Sequence, residues 1–308
     1  MILNLRELHA FKAITEHGSV GRAADALGLT QPALTRILKR LEQQVGVPLF
    51  ERHAQGVALT AYGAALEPHA ALMLAESARA VSELSEMRGL RKGVVRVGAV
   101  SSAVESFLPP AIDALLTQYP GIQVCIVEGL TDELAAWLVK GDIDLAVAFS
   151  MPETDELLLV CESEWQEGCH VVAAADHPLR RRAPLALGDL AGERWVLPPR
   201  GMAPREEWQQ VFRAQGLAAP AVTVEARSVN AMRALVSRCG FLSWMPRLLL
   251  GAHLGLPRPI DVLPVAGVFV DRTFAIYRRR VGTLSPATVQ LRDQLLRQVE
   301  SLAPATLG

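Results

Sequence analysis

The chain has 308 residues, with 31 Lys and Arg, 32 Asp and Glu and a 50% hydrophobic share. This is a globular composition, long enough for two or three domains. A net charge of −1 excludes a uniformly basic nucleic-acid binder, and no apolar run reaches the roughly 18–20 residues that span a bilayer. Arg, Glu, His and Lys interrupt the opening MILNLRELHAFKAITEHGS, so no secretory signal is read there; a cytoplasmic location without membrane contact is expected.

Asn4 followed by Glu7 has the spacing of a capping box. Leu5, Leu8, Phe11 and Ile14 then form an apolar stripe that Gly18 closes. Ser19 caps a short second helix, VGRAADAL, ended by Gly28, and Thr30 caps a third, TQPALTRILKRLEQQVG. In that helix Leu34, Ile37, Leu38, Leu41 and Val45 make one buried face. Two helices joined by a short Gly-containing turn are a helix-turn-helix pattern. VPLFERHAQGVALT, with Pro48, Gly56 and alternating apolar positions, reads as a small β-wing. The domain expected over residues 1–60 holds seven Lys and Arg against five Asp and Glu, so the direction of its cations matters more than their number.

The outer face of the third helix carries Pro32, Thr35, Arg36, Lys39, Arg40 and Gln43. A helix fits the major groove, where residues near its N-terminus reach base edges. Gln31 has the groups for bidentate contact with adenine, and Thr35 suits a thymine methyl. Arg36, Lys39 and, at the flank, Arg40 suit phosphates or guanine, and Arg52 in the wing suits the backbone or minor groove. A solvated helix face is the plainer reading of the same stripe.

Residues 61–90 read as a long linker helix. Leu66, Ala70, Met73, Ser77, Ala80, Leu84 and Met87 alternate spacings of four and three, a heptad seam. Pairing with a second chain is expected, with Leu66, Met73, Leu84 and Met87 as dimer contacts; docking on the chain's own domain is the alternative. Pro68 is expected to bend the first turns.

From about residue 91 strands and helices alternate: GVVRVGAV, SAVESFLPPAIDALLTQYPG, IQVCIVEG, TDELAAWLVKG and DIDLAVAF give a βαβαβ order, hence a parallel sheet. A second set begins at CHVVAAADHPL, and the chain closes with TFAIYRRRV and a helix capped by Ser285. The expected architecture is an α/β effector domain of two lobes, lobe I from 91–162 and 268–308 and lobe II from 163–267. Strand-like crossovers near 160–168 and 262–270 leave a cleft between them.

Ser101 and Ser102 stand where the first strand passes into a helix, an anion-binding position, although Ser102 with Glu105 also fits a capping box. Thr131, Phe149 and Ser228 end or begin other elements facing the cleft. In PPRGMAPRE, Arg200 is a candidate counter-charge and Met202 an apolar wall; an ordinary surface turn is the alternative. A small organic anion is the expected ligand. Cys125, Cys161, Cys169 and Cys239 show no metal-ligand spacing and read as reduced thiols, with a Cys161–Cys169 redox pair as the alternative. No cofactor or metal is expected. A G-x-S-x-G elbow, P-loop, dinucleotide fingerprint and paired-carboxylate motif are all missing from the sequence.

Residues 19–63 resemble the DNA-binding region of the LysR-type transcriptional regulators. The small-residue second helix, T-Q-P-A-L-T-R, R-L-E, G-V-P-L-F-E-R and L-T-x-x-G match in order and spacing. The resemblance continues through the linker helix into a two-lobed domain similar to periplasmic binding proteins. It implies a winged helix-turn-helix, with Gln31, Pro32, Thr35 and Arg36 toward the major groove and Arg52 in the wing. It also implies dimers through the linker helix, assembled into tetramers on an interrupted palindrome, with RNA polymerase as a further partner. The position of Ser101 or Ser102 would contact a carboxylate effector, and the loop with SWMPR resembles a subgroup sensing aromatic or sugar-derived acids. Two other readings stand beside this one. In one, the regulator answers to oxidation of Cys161 and Cys169. In the other, the chain is an acid-binding protein or hydrolase whose helical N-terminus serves only assembly.

Overall fold

The structure, a computed structural model, describes residues 3–53, 56–87, 93–151, 154–182, 184–250, 258–268 and 270–301. Three helices, α1 (Leu5–His17), α2 (Val20–Ala26) and α3 (Gln31–Val45), precede a hairpin of β1 (Phe50–His53) and β2 (Gly56–Leu59). Ala10, Ile14, Val20, Ala23, Leu34 and Leu38 form their shared core. The R-L-E triplet acquires a physical reason here. Glu42 accepts from the N–H groups of Leu49 at 2.9 Å and Phe50 at 3.4 Å, tying the end of α3 to the wing. Thr60 likewise donates to the Pro48 carbonyl at 2.8 Å and accepts from Gly63 N–H at 3.1 Å. Gly63 lies so close to the Leu49 carbonyl that a Cβ would collide with it, which accounts for the glycine of L-T-x-x-G.

Helix α4 (Ala61–Met87) is 27 residues long and contains Pro68. Its apolar seam divides. Leu66 and Met73 pack with Ala70 and Leu74 against Leu8, Phe11, Leu41 and Leu49 of the same chain. These two expected dimer contacts have an internal role within the chain, because the stripe of α1 needs an apolar cover and α4 crosses it, and both side chains are half-buried. Leu84 is 62% exposed, and Val81, beside the expected seam, 64%; the Met87 side chain lies outside the described residues. Farther along, Arg79 bonds Glu76 and Asp144 at 2.8 Å each, and Arg279 reaches Glu76, joining α4 to the first lobe.

That lobe contains β3 (Val94–Ala99), α5 (Ser101–Glu105), α6 (Leu108–Gln118), β4 (Gln123–Glu128), α7 (Thr131–Lys140) and β5 (Leu145–Phe149). β3 lies parallel to both β4 and β5. The single helix expected after β3 is two. Pro109 and Pro110 lack the N–H needed to continue a helix but fit the first turn of a new one, and α6 begins there. β6 (Leu157–Ala174) enters a second lobe made of β7 (Trp195–Leu197), α8 (Ala203–Ala214), β8 (Val222–Glu225), α9 (Val229–Cys239), β9 (Ser243–Pro246) and β10 (Ile260–Val262). The chain returns through β11 (Val270–Arg279) to α10 (Pro286–Ser301). β6 and β11 pair antiparallel from Cys169 and Val270 to Leu157 and Arg279, a two-strand ribbon linking the lobes. Each lobe has its own core, around Val97, Phe107, Leu134 and Phe274 in the first and Trp195, Trp208 and Phe212 in the second.

The ribbon also bears on a direct Cys161–Cys169 disulfide. Cys161 and Cys169 sit eight residues apart on β6, roughly 26 Å at strand rise. A disulfide needs Cα atoms about 4.4–6.8 Å apart, so this pair cannot close without dismantling the strand.

Candidate functional sites

Helix α3 turns Leu34, Leu38 and Leu41 inward and leaves Gln31, Pro32, Arg36, Lys39 and Arg40 exposed, with Thr35 half-buried. Thr30 makes no side-chain cap bond, so the first turn keeps N–H groups that a phosphate can accept. Among the described residues neither Arg36 nor Lys39 has an ion-pair partner. Arg40 differs from the expectation. Its Nε lies 3.1 Å from Glu7 Oε1, so part of its charge is already answered within the domain. Glu7 is correspondingly not the second half of a capping box; Asn4 alone caps α1, accepting from Arg6 N–H at 2.9 Å. Arg52 stands on the wing opposite Val57, and its side chain lies outside the described residues.

Between the lobes lies a cavity of about 480 Å3, at which α5, α7, α8 and α9 all begin. Ser101, Ser102, Thr131, Phe149, Met202 and Ser228 line it, gathered from both lobes. Arg200 does not. The turn at Gly201 (φ +81°) carries Met202 to the start of α8 and leaves Arg200 exposed outside. Ser228 spends its hydroxyl capping α9 at Ala231 N–H, 3.3 Å away, and Ser101 donates to the Glu128 carboxylate. Ser102 is 2% exposed, and its hydroxyl has no hydrogen-bond partner among the described residues. The Ser102–Glu105 capping box is not formed, because the helix begins at Ser101 with Val100 as its cap and Ser102 lies within it; Glu105 instead meets Arg233 across the cleft.

The charged groups in and beside the cavity are what sequence reasoning missed. Arg233 is 2% exposed and uses all three nitrogens: Nε donates to the Leu249 carbonyl at 2.9 Å, Nη1 to Asn230 at 3.3 Å and Nη2 to Glu105. Arg272 donates to Glu207 through Nε at 2.7 Å and through Nη2, and its guanidinium lies 4.9 Å from the Phe149 ring centroid. The Trp244 indole holds the other Glu207 oxygen at 2.7 Å. Arg227, on the loop before α9, donates through Nη2 to Glu133 on α7 of the opposite lobe. The Leu130 N–H, with Arg227 beside it, holds the Glu133 carboxyl below its ordinary pKa despite the opposing effect of burial. Among the described residues three ion pairs thus join the lobes, Arg233–Glu105, Arg272–Glu207 and Arg227–Glu133, and they differ in worth. Removing one partner of a buried pair such as Arg233–Glu105 costs about 3–5 kcal/mol, whereas a pair exposed like Arg227, at 62%, contributes about 0.2–1 kcal/mol. The available signal was position: Arg227 immediately precedes the cap Ser228, and Glu128 ends β4 before a turn into α7.

Residues 5–64 match the family described as bacterial regulatory helix-turn-helix protein, lysR family, and residues 88–300 match the LysR substrate binding domain. The chain belongs to the LysR family. It is 31% identical to the HTH-type transcriptional regulator CfxR of Cupriavidus necator over 294 residues, 96% of this chain and 91% of that protein. It is 34% identical to the HTH-type transcriptional regulator GbpR of Rhizobium radiobacter over 234 residues, 75% of this chain and 78% of that protein. Among solved structures, the LysR family transcriptional regulator CbnR shares the fold with a TM-score of 0.68 at 24% identity, covering 97% of this chain and 100% of that one. Full-length CbnR complexed with its target DNA gives 0.66 at the same identity, covering 96% and 100%. This LysR-family member is a DNA-binding transcriptional regulator with an effector-binding domain. Its helix-turn-helix match spans α1 to β2 and the first residues of α4, and its substrate-binding match spans both lobes.

Proposed function

We propose that this regulator reads an interrupted palindrome as a cytoplasmic homodimer assembled into a tetramer, and that a small organic anion bound between the lobes sets its occupancy or geometry on DNA. In this reading residues 1–60 are the DNA-binding unit, 61–90 the dimerisation linker and 91–308 the effector domain. Gln31, Pro32, Thr35 and Arg36 meet the major groove, Lys39 the phosphates, Arg40 the flank in competition with Glu7, and Arg52 the wing contact. Two-fold symmetry puts the recognition helices about 34–36 Å apart or a multiple of that. Contacts with RNA polymerase follow from the DNA-bound assembly.

The observation that carries the effector reading is the hydroxyl of Ser102, buried at the cavity and without a hydrogen-bond partner among the described residues. A polar group in that state is costly until something accepts or donates to it, and the starts of α7, α8 and α9 favour an anion. The effector acts only through unequal affinity for the two arrangements of lobes or subunits. The test is a thermal-shift screen of small acids on the full-length protein, repeated with Ser102→Val. A hit that survives this substitution refutes the assigned role of Ser102, and a hit that leaves operator binding unchanged refutes the regulatory role.

A further inference from the structure

We propose that Arg227 is the carboxylate anchor of the effector, and that binding transfers it from Glu133 to the ligand while Arg233–Glu105 and Arg272–Glu207 keep the lobes joined. The inference rests on the reading of the cleft as the site of an organic anion and names how that site is gated.

Four guanidinium groups in or beside the cavity are not equivalent. Arg233 has Nε, Nη1 and Nη2 all engaged and is closed off from solvent. Arg272 is held through Nε and Nη2 by one Glu207 oxygen, with Trp244 fixing the other and Phe149 covering the guanidinium. Arg200 lies outside the cavity. Arg227 lines the cavity, uses Nη2 alone among the described residues, and is 62% exposed. Both bidentate faces of a guanidinium, Nε–H with Nη2–H and Nη1–H with Nη2–H, use Nη2, so release from Glu133 leaves Arg227 with a complete fork to grip a carboxylate. Its partner Glu133 does not need it, because the Leu130 N–H already holds that carboxylate at 3.0 Å. Glu133 therefore occupies the anchor in the empty cleft as an internal competitor, and an incoming carboxylate exchanges with it at little cost because the pair is solvated. The exchange cuts the most exposed of the three charge links between the lobes. The less exposed links, Arg233–Glu105 and Arg272–Glu207, persist and act as the pivot about which α7 and the Arg227 loop separate.

A merely structural salt bridge and an exchangeable anchor predict opposite signs for the two partners. The full-length protein is titrated by calorimetry with benzoate, mandelate and gluconate, as wild type, Glu133→Gln, Arg227→Ala and Ser102→Val. Glutamine keeps the acceptor for the Leu130 N–H but gives up the charge. The expected result is that Glu133→Gln binds the best probe about two- to fivefold more tightly, the size of an exposed pair. Arg227→Ala is expected to bind it about ten- to a hundredfold more weakly, the size of a charged hydrogen bond. Equal weakening by both substitutions overturns the proposal, as does unchanged affinity in Arg227→Ala. If Ser102→Val loses the probe while Arg227→Ala keeps it, the cleft reading survives and this one falls. If wild type binds none of the three, both fall.

Discussion

Lys39→Ala tests how much of the outer face of α3 is used on DNA. The side chain is exposed and has no ion-pair partner among the described residues, so its whole charge is available to a phosphate. One lost phosphate contact per protomer is two per dimer. The slope of log Kobs against log salt then becomes shallower by about 1.8, at about 0.9 per phosphate on B-DNA. Between roughly 50 and 200 mM salt the advantage of wild type over the variant shrinks by about twelvefold. Arg40→Ala should change the slope less, because Glu7 lies 3.1 Å from its Nε and a neutralised cation releases fewer counterions. The assay is fluorescence anisotropy with an operator duplex over a salt series, with an unrelated duplex as control. A slope unchanged by Lys39→Ala, or a larger change for Arg40→Ala, refutes the assignment of cations on this face.

Three further outcomes follow from the geometry. Arg233→Met strands the Leu249 carbonyl and unpairs Glu105, and should lower stability to urea by about 3–5 kcal/mol, the cost of breaking a buried pair; a loss under about 0.5 kcal/mol, the level of an ordinary surface change, contradicts this. Glu133 titrates below its ordinary value when folded, so its contribution is present above the unfolded-state pKa of about 4.3 and disappears as pH falls through the lower folded value. The stability gap between wild type and Glu133→Gln should accordingly narrow on acidification, and a gap that widens would reverse the sign. Val81→Glu with Leu84→Glu places like charges on an exposed strip of α4 and should shift the oligomer toward monomer in sedimentation, lowering the melting midpoint only by the partner's concentration-dependent contribution; Leu66→Ala should instead destabilise the helical domain at every protein concentration, since that side chain packs inside it.

Much of this protein is determined by local sequence. The α3 stripe, the Gly63 approach, the break at Pro109 and Pro110 and the βαβαβ order each follow from the backbone and burial preferences of a few neighbouring residues. The cavity-lining positions Ser101, Thr131 and Ser228 were legible for the same reason, since strand-to-helix junctions are marked by local composition. Charge pairing was not legible. Glu105 has the spacing to cap its own helix, yet it meets Arg233, which is 128 residues away. Glu7 has a capping spacing and meets Arg40, and Glu133 meets Arg227. Long charged side chains have several partners of similar energy within reach, and only the docking of one element on another chooses among them. The same holds for the heptad seam of α4. Its periodicity says that an apolar face must be covered, but tertiary packing decided that Leu66 and Met73 pack within their own chain, while Leu84 is left exposed.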